Sequence, residues 1–144
     1  MYMNRDNEHK EKSIIPAFLE QNFNSVLEKV NPFVGDAPIV QIDICDGVYT
    51  PTPASWPYTE NADWNRIEEI KSKGIMVEFD LMIQRPEEYI VAILSANPRR
   101  VIIHYNSTQY IDRILAILNG YYQEYPKFEF GVAFTLDTEL SSIQ

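Results

Sequence analysis

The feature that most restricts the fold is an alternation of two hydrophobic periods along the chain. Ile39–Cys45 (IVQIDIC) puts Val40, Ile42 and Ile44 on one side and Gln41, Asp43 and Cys45 on the other. Ile75–Ile83 (IMVEFDLMI) does the same, with Val77, Phe79 and Leu81 opposed by Glu78, Asp80 and Met82. A period of two is that of a strand, whose successive side chains point to opposite faces. Between such runs the period is helical. Phe23, Val26, Leu27 and Val30 form a stripe over 24–30, with Ser25-x-x-Glu28 as its expected capping box. Trp64–Lys73 reads as a second helix closed by Gly74, and Pro86-Glu87-Glu88 opens a third that runs to about Ala96. A fourth runs from Thr108 to about Tyr122, with Tyr110, Ile111, Ile114, Leu115 and Leu118 on its stripe. Ser13–Leu19, Val101–Tyr105 and Phe128–Phe134 are further strands, and Thr138–Ile143 begins a last helix. Repeated strand–helix alternation predicts a parallel sheet covered by helices, either doubly wound or a (β/α) barrel.

Composition narrows the function classes. The 144 residues carry 12 basic and 21 acidic side chains, a net charge of −9, which disfavours nucleic acid because phosphate neutralisation needs a basic face. One cysteine cannot form an internal disulfide or a cysteine-built zinc site. No apolar run approaches the roughly 18–20 residues of a membrane helix. Residues 1–12 are polar and read as a flexible tail without a signal peptide, ahead of a domain over 13–144. The expected location is the cytoplasm. Nothing matches a P-loop, GxGxxG, HExxH or GxSxG, so neither a nucleotide nor a serine nucleophile is expected.

The polar side of the strands carries the candidate chemistry. In parallel α/β folds ligands sit beyond the carboxyl ends of the strands, and Gln41, Asp43, Glu78 and Asp80 are read as lying near those ends, with His104 closing the fourth strand. Strands buried on both faces tend toward unbroken apolar runs; alternation here points to a polar enclosed space and favours a barrel. Asp43 and Asp80 on neighbouring strands are candidates for a metal pair or for a proton-transfer base and its neighbour, or else they hydrogen-bond loop amides and hold turns. His104 is either a satisfied structural histidine or a ligand or acid/base group. Cys45 reads as a small core residue. Trp56 and Tyr58, in the long loop from Asp46 to about Ala62, either lid a pocket or pack the loop down. Glu68, Lys71 and Lys73 read as a solvated helix face.

Taken together, Ile14-Ile15-Pro16-Ala17-Phe18-Leu19, Ile42-Asp43-Ile44-Cys45-Asp46-Gly47-x-Tyr49-x-Pro51, Phe79-Asp80-Leu81-Met82-Ile83-x-x-Pro86-Glu87-x-Tyr89-Ile90, His104 and Gly131-Val132-Ala133 resemble the ribulose-phosphate 3-epimerase family in order and spacing. The resemblance implies a (β/α)8 barrel that interconverts ribulose 5-phosphate and xylulose 5-phosphate. It implies proton abstraction beside a ketone, an enediolate, and reprotonation from the opposite face, with two aspartates and a divalent metal (Mg, Mn, Fe or Zn). Asp43 matches the first catalytic aspartate, which also binds the metal; Met82 matches a pocket methionine, and His104 is assigned to substrate binding. Several positions depart from the family pattern. Gln41 and Asp80 stand where the family has metal-binding histidines, which leaves them as oxygen ligands for a hard ion such as Mg²⁺ or Mn²⁺. Ala17 replaces a substrate-binding serine, Cys45 a pocket methionine and Trp56 a loop glycine. A related decarboxylase and synthase family has D-x-K on its third strand, whereas Met82 follows Asp80 at that spacing.

A complete barrel takes about 250 residues, so the expectation is an incomplete (β/α)8 TIM barrel of about five parallel strands. Its open edges would need a second copy or a missing C-terminal half. The second catalytic aspartate and the phosphate loops belong to strands seven and eight in the family. Two functions are therefore expected: an epimerase of a phosphorylated pentose, or a non-catalytic barrel homologue that binds a sugar phosphate or serves as an assembly element.

Overall fold

The computed structural model describes residues 14–139 and 141. The polar segment 1–12 and Ser13 lie outside the described residues. Of the expected last helix, Thr138 and Glu139 are non-helical, while Leu140, Ser142 and Ile143 also lie outside them.

Among the described residues five strands alternate with four α-helices: β1 (Ala17–Phe18), α1 (Phe23–Val30), β2 (Ile39–Cys45), α2 (Ile67–Lys71), β3 (Met76–Met82), α3 (Ile90–Ser95), β4 (Arg100–His104), α4 (Ile111–Glu124) and β5 (Glu129–Ala133). Every neighbouring pair is parallel, and the strands lie in chain order β1-β2-β3-β4-β5. A doubly wound sheet reverses direction at a switch point, whereas successive right-handed crossovers in one direction put every helix on the same face. The core shows that one-sided packing. Val40, Ile42, Ile44, Val77, Phe79, Leu81, Val101 and Ile103 are buried in a single cluster with Val26, Val30, Ile67, Ile70, Ile90, Ile93, Ile114 and Leu118 from the four helices. The sheet is thus a partial TIM barrel, with the opposite face turned to the barrel interior.

Several local expectations are corrected. The first strand shrinks to two residues; Pro16 has no N–H to give a ladder, and its carbonyl accepts from the Gln41 N–H at 2.8 Å. Helix α1 starts at Phe23, capped by the Asn22 side chain on Ser25 N–H, so Ser25-x-x-Glu28 is not its capping box. The second and third helices each open with a 3₁₀ turn, Trp64–Arg66 and Pro86–Glu88, before α geometry sets in. Gly74 ends the α2 segment at φ 81°, a conformation glycine adopts without Cβ strain. The fourth helix extends to Glu124, and its buried line runs through Ile114 and Leu118, with Tyr110 exposed.

The long loop after β2 packs against the core. Trp56 is 1% exposed, with its ring 5.0 Å from Phe23 and 5.1 Å from Trp64. Tyr58 meets Tyr89 edge-on at 5.4 Å. Ser55 pins the return: its N–H donates to the Cys45 carbonyl at 2.9 Å, and its Oγ accepts from the Cys45 N–H at 2.9 Å. Of the two readings of Trp56, the core contact is the one observed.

Candidate active site

Register fixes which polar groups share the inner face. Gln41 is level with Glu78, Glu78 with Arg100, and Arg100 with Glu129. One layer nearer the carboxyl ends, Asp43 is level with Asp80, Asp80 with Ile102, and Ile102 with Gly131. Above these, Cys45 is level with Met82, and His104 with Ala133. Ala17 is level with Gln41 at the sheet edge. Two-residue spacing keeps each strand's members on one side, so Asp43 and Asp80 face the same interior.

Glu78 is corrected by this layering. It belongs to the lower layer and is spent in an ion ladder instead of standing with the aspartates. Its side chain is 2% exposed and pairs with Arg100, which also donates to Glu129 Oε2 from Nη2 at 2.7 Å, while Arg99 donates to Glu129 Oε1 at 2.6 Å. Burial pushes the Glu78 carboxyl up, opposed by the Arg100 charge. The hydrogen bonds from Arg100, with the Arg99 guanidinium beside them, hold the Glu129 carboxyl below its ordinary range. A buried carboxylate needs such a partner. The arginines carried no signal by themselves, because only the β3–β4–β5 register brings them beside the glutamates.

The remaining candidates are Gln41, which reaches up from the lower layer, and the groups of the upper layers. Gln41 Nε2 donates to Asp43 Oδ1 at 2.6 Å. Burial raises the Asp43 carboxyl above its ordinary value; the Gln41 hydrogen bond opposes the rise, Asp80 adds to it and His104 opposes it. His104 Nε2 lies 3.0 Å from Asp80 Oδ1, a contact sequence spacing did not indicate. The Tyr49 ring meets the His104 ring edge-on at 5.5 Å, and burial raises the Tyr49 phenol. Met82 is half-buried on the same side as Asp80, and Ala17 is exposed at the rim. Cys45 is buried, and its thiol is pushed up by burial, the direction opposite to that of an activated nucleophile.

Asp46 anchors the rim. Its Oδ1 accepts from the Val48 and Tyr49 N–H groups at 2.8 and 2.9 Å, and its Oδ2 accepts from the Gln84 N–H at 2.7 Å. One carboxylate therefore ties the loop after β2 to the loop after β3. Burial alone would raise its pKa, but the three backbone donors from Tyr49, Gln84 and Val48 hold it below the ordinary carboxylate range. Gly47 follows at φ 76°, and a Cβ there would stand 3.2 Å from the Ala54 nitrogen.

The donor set does not fit the divalent cation that the resemblance implies. Among the described residues no group of three His, Cys, Asp or Glu side chains converges as a metal site. Asp43 Oδ1 is occupied by the Gln41 amide and Asp80 Oδ1 by His104. Among the described residues no helix is long and apolar enough to cross a membrane.

A one-way parallel sheet, helices on its outer side and two carboxylates level with each other inside, defines a (β/α)-barrel protein with an acidic mouth. The model of the ribulose-phosphate 3 epimerase family matches residues 13–144, and the chain belongs to that family. No curated protein matches the chain.

Proposed function

We propose that this mouth transfers a proton at the carbon beside the ketone of a phosphorylated pentose, the step that interconverts ribulose 5-phosphate and xylulose 5-phosphate. The observation that carries the reading is the state of Asp43. Its carboxyl sits on the interior face at the carboxyl end of β2, is raised in pKa by burial, and is oriented by Gln41. A raised carboxylate is a stronger base, and proton transfer is most effective when the pKa of the group approaches the working pH. In the step, the C3–H bond breaks and Asp43 takes the proton. The electron pair moves into the C2–C3 bond, and the negative charge passes to the carbonyl oxygen. Gln41 is a positioning residue: one amide N–H fixes Asp43 and the other is left for a substrate oxygen. Asp80 and His104 fix one another beside that space. The group that reprotonates the opposite face is implied by the resemblance on a seventh strand.

The test is exchange of the substrate C3 proton with deuterated water, run with and without added Mn²⁺. Exchange above that of Asp43→Asn supports the reading; exchange equal to that variant under both conditions refutes it.

A second reading is favoured by the sheet edges. Among the described residues β1 and β5 each have a neighbour on one side only, and Phe130, Phe134 and Leu19 near them are 37%, 40% and 41% exposed. Such edges call for a cover. A non-catalytic homologue, acting as an assembly element or sugar-phosphate binder, uses these edges against a second copy or further strands. Sedimentation together with substrate titration separates it from the first reading, since it associates or binds without exchange.

A further inference from the structure

Resting on the epimerase reading, we infer that internal hydrogen bonds have displaced the divalent cation from this mouth, so that its carboxylates are held by Gln41 and His104. Four groups on the inner face could ligate a cation around the carboxylates: Asp43 and Asp80 themselves, Gln41 from the layer below and His104 from the layer above. They have already paired off. Gln41 turns its amide nitrogen toward Asp43 Oδ1 at 2.6 Å, presenting a hydrogen-bond donor where a ligand must present a lone pair. His104 uses Nε2 on Asp80 Oδ1 at 3.0 Å, so that imidazole nitrogen and that carboxylate oxygen satisfy each other. Ligation at Nε2 would break the pair.

Charge gives the same result. A divalent ion between two level carboxylates relieves their mutual repulsion. Here the Gln41 amide on Asp43 and the His104 ring on Asp80 stand in that place. The neighbouring groups give no further help. Cys45 is buried and bonded to Thr50 Oγ1, Tyr49 presents its ring edge to His104, and Asp46 spends both oxygens on backbone N–H groups of the rim. Glu78 is committed to Arg100 one layer below. No spare carboxylate or imidazole therefore faces this space from β2, β3 or β4.

The experiment measures cation binding, so it does not depend on turnover. The full chain is titrated with Mn²⁺ alone, followed by calorimetry and by electron paramagnetic resonance of the free ion. A Gln41→His/Asp80→His double variant and the single variants are treated identically. The expected result is no Mn²⁺ site tighter than about 1 mM in the unaltered chain. The double variant, which removes both internal pairs and supplies imidazoles, gains a site at least tenfold tighter, and Asp43→Asn in that background abolishes it. A wild-type site below about 100 µM that Asp43→Asn removes overturns the inference. So does a folded double variant, checked by circular dichroism, that gains no binding, because the internal pairs would then not be what excludes the ion. Failure of the epimerase reading shows separately, as absence of C3 exchange whatever the Mn²⁺ titration gives.

Discussion

Replacing Asp46 isolates the contribution of one side chain that joins two loops. Its carboxylate accepts three backbone N–H groups, two from its own loop and one from Gln84 across the gap between β2 and β3. A hydrogen bond to a charged acceptor contributes roughly 1.5–3 kcal/mol when buried, but two of these three are solvent-exposed, which brings the value toward ~1 kcal/mol or less apiece. Asp46→Ala is thus expected to cost about 2 kcal/mol, a drop in Tm of about 6–8 °C for a chain of this size. Asp46→Asn keeps one carbonyl oxygen for Val48 and Tyr49 but turns an NH₂ toward the Gln84 N–H, so about half the loss is expected. The pH dependence has a definite sign. The native pKa of Asp46 is lowered, so its stabilisation is complete above the ordinary carboxylate value and is lost as pH falls through the native one. Urea melts of the wild type and Asp46→Ala should differ fully at pH 7 and converge in acid, once the native carboxylate is protonated. A cost under about 0.5 kcal/mol at pH 7, or a gap that persists unchanged into acid, would refute the reasoning.

Removing Arg100 as Arg100→Ala leaves the buried Glu78 carboxylate without its nearest cation and should cost about 3–5 kcal/mol at pH 7 in denaturant melts. Adding Glu78→Gln should recover most of that loss, and acidification of the single variant should recover it too, because a raised carboxyl binds its proton in the native state. Phe79→Ala should cost about 3–5 kcal/mol, since Phe79 is fully buried with its ring 5.7 Å from Trp64, and a loss below about 1 kcal/mol would contradict the packing. Asp43→Asn should raise stability at pH 7 while abolishing exchange, because the raised native pKa means the charged form is disfavoured by folding. That gain should vanish below about pH 4, where the wild-type carboxyl is protonated.

What could be read in the sequence follows from the range of the interactions involved. The period of two in 39–45 and 75–83 records burial of one face, a property of each strand alone, so β2, β3 and the side on which Asp43 and Asp80 lie were legible. Family motifs added the sense of the barrel. The pairings inside the face were not legible, since they depend on register between strands far apart in the chain. Glu78 with Arg100, Glu129 with both arginines, and Asp80 with His104 are 22 to 30 positions apart in the chain, and no local pattern encodes them. Helix starts are not legible for a different reason. Asn22 and Ser25 are both good caps; Asn22 takes the role, and the first helical N–H, that of Phe23, is accepted by Glu60 from a loop 37 positions away at 3.0 Å.

The central claim is that Asp43 and Asp80 project into one interior space, where burial and mutual repulsion raise the Asp43 carboxyl. Carbon-13 detection of the Asp43 carboxyl through a pH titration, in the wild type and in Asp80→Asn, measures this directly. The account predicts a midpoint above that of ordinary aspartates in the wild type, lowered when Asp80 loses its charge. An ordinary or depressed midpoint, or one indifferent to Asp80→Asn, would contradict it.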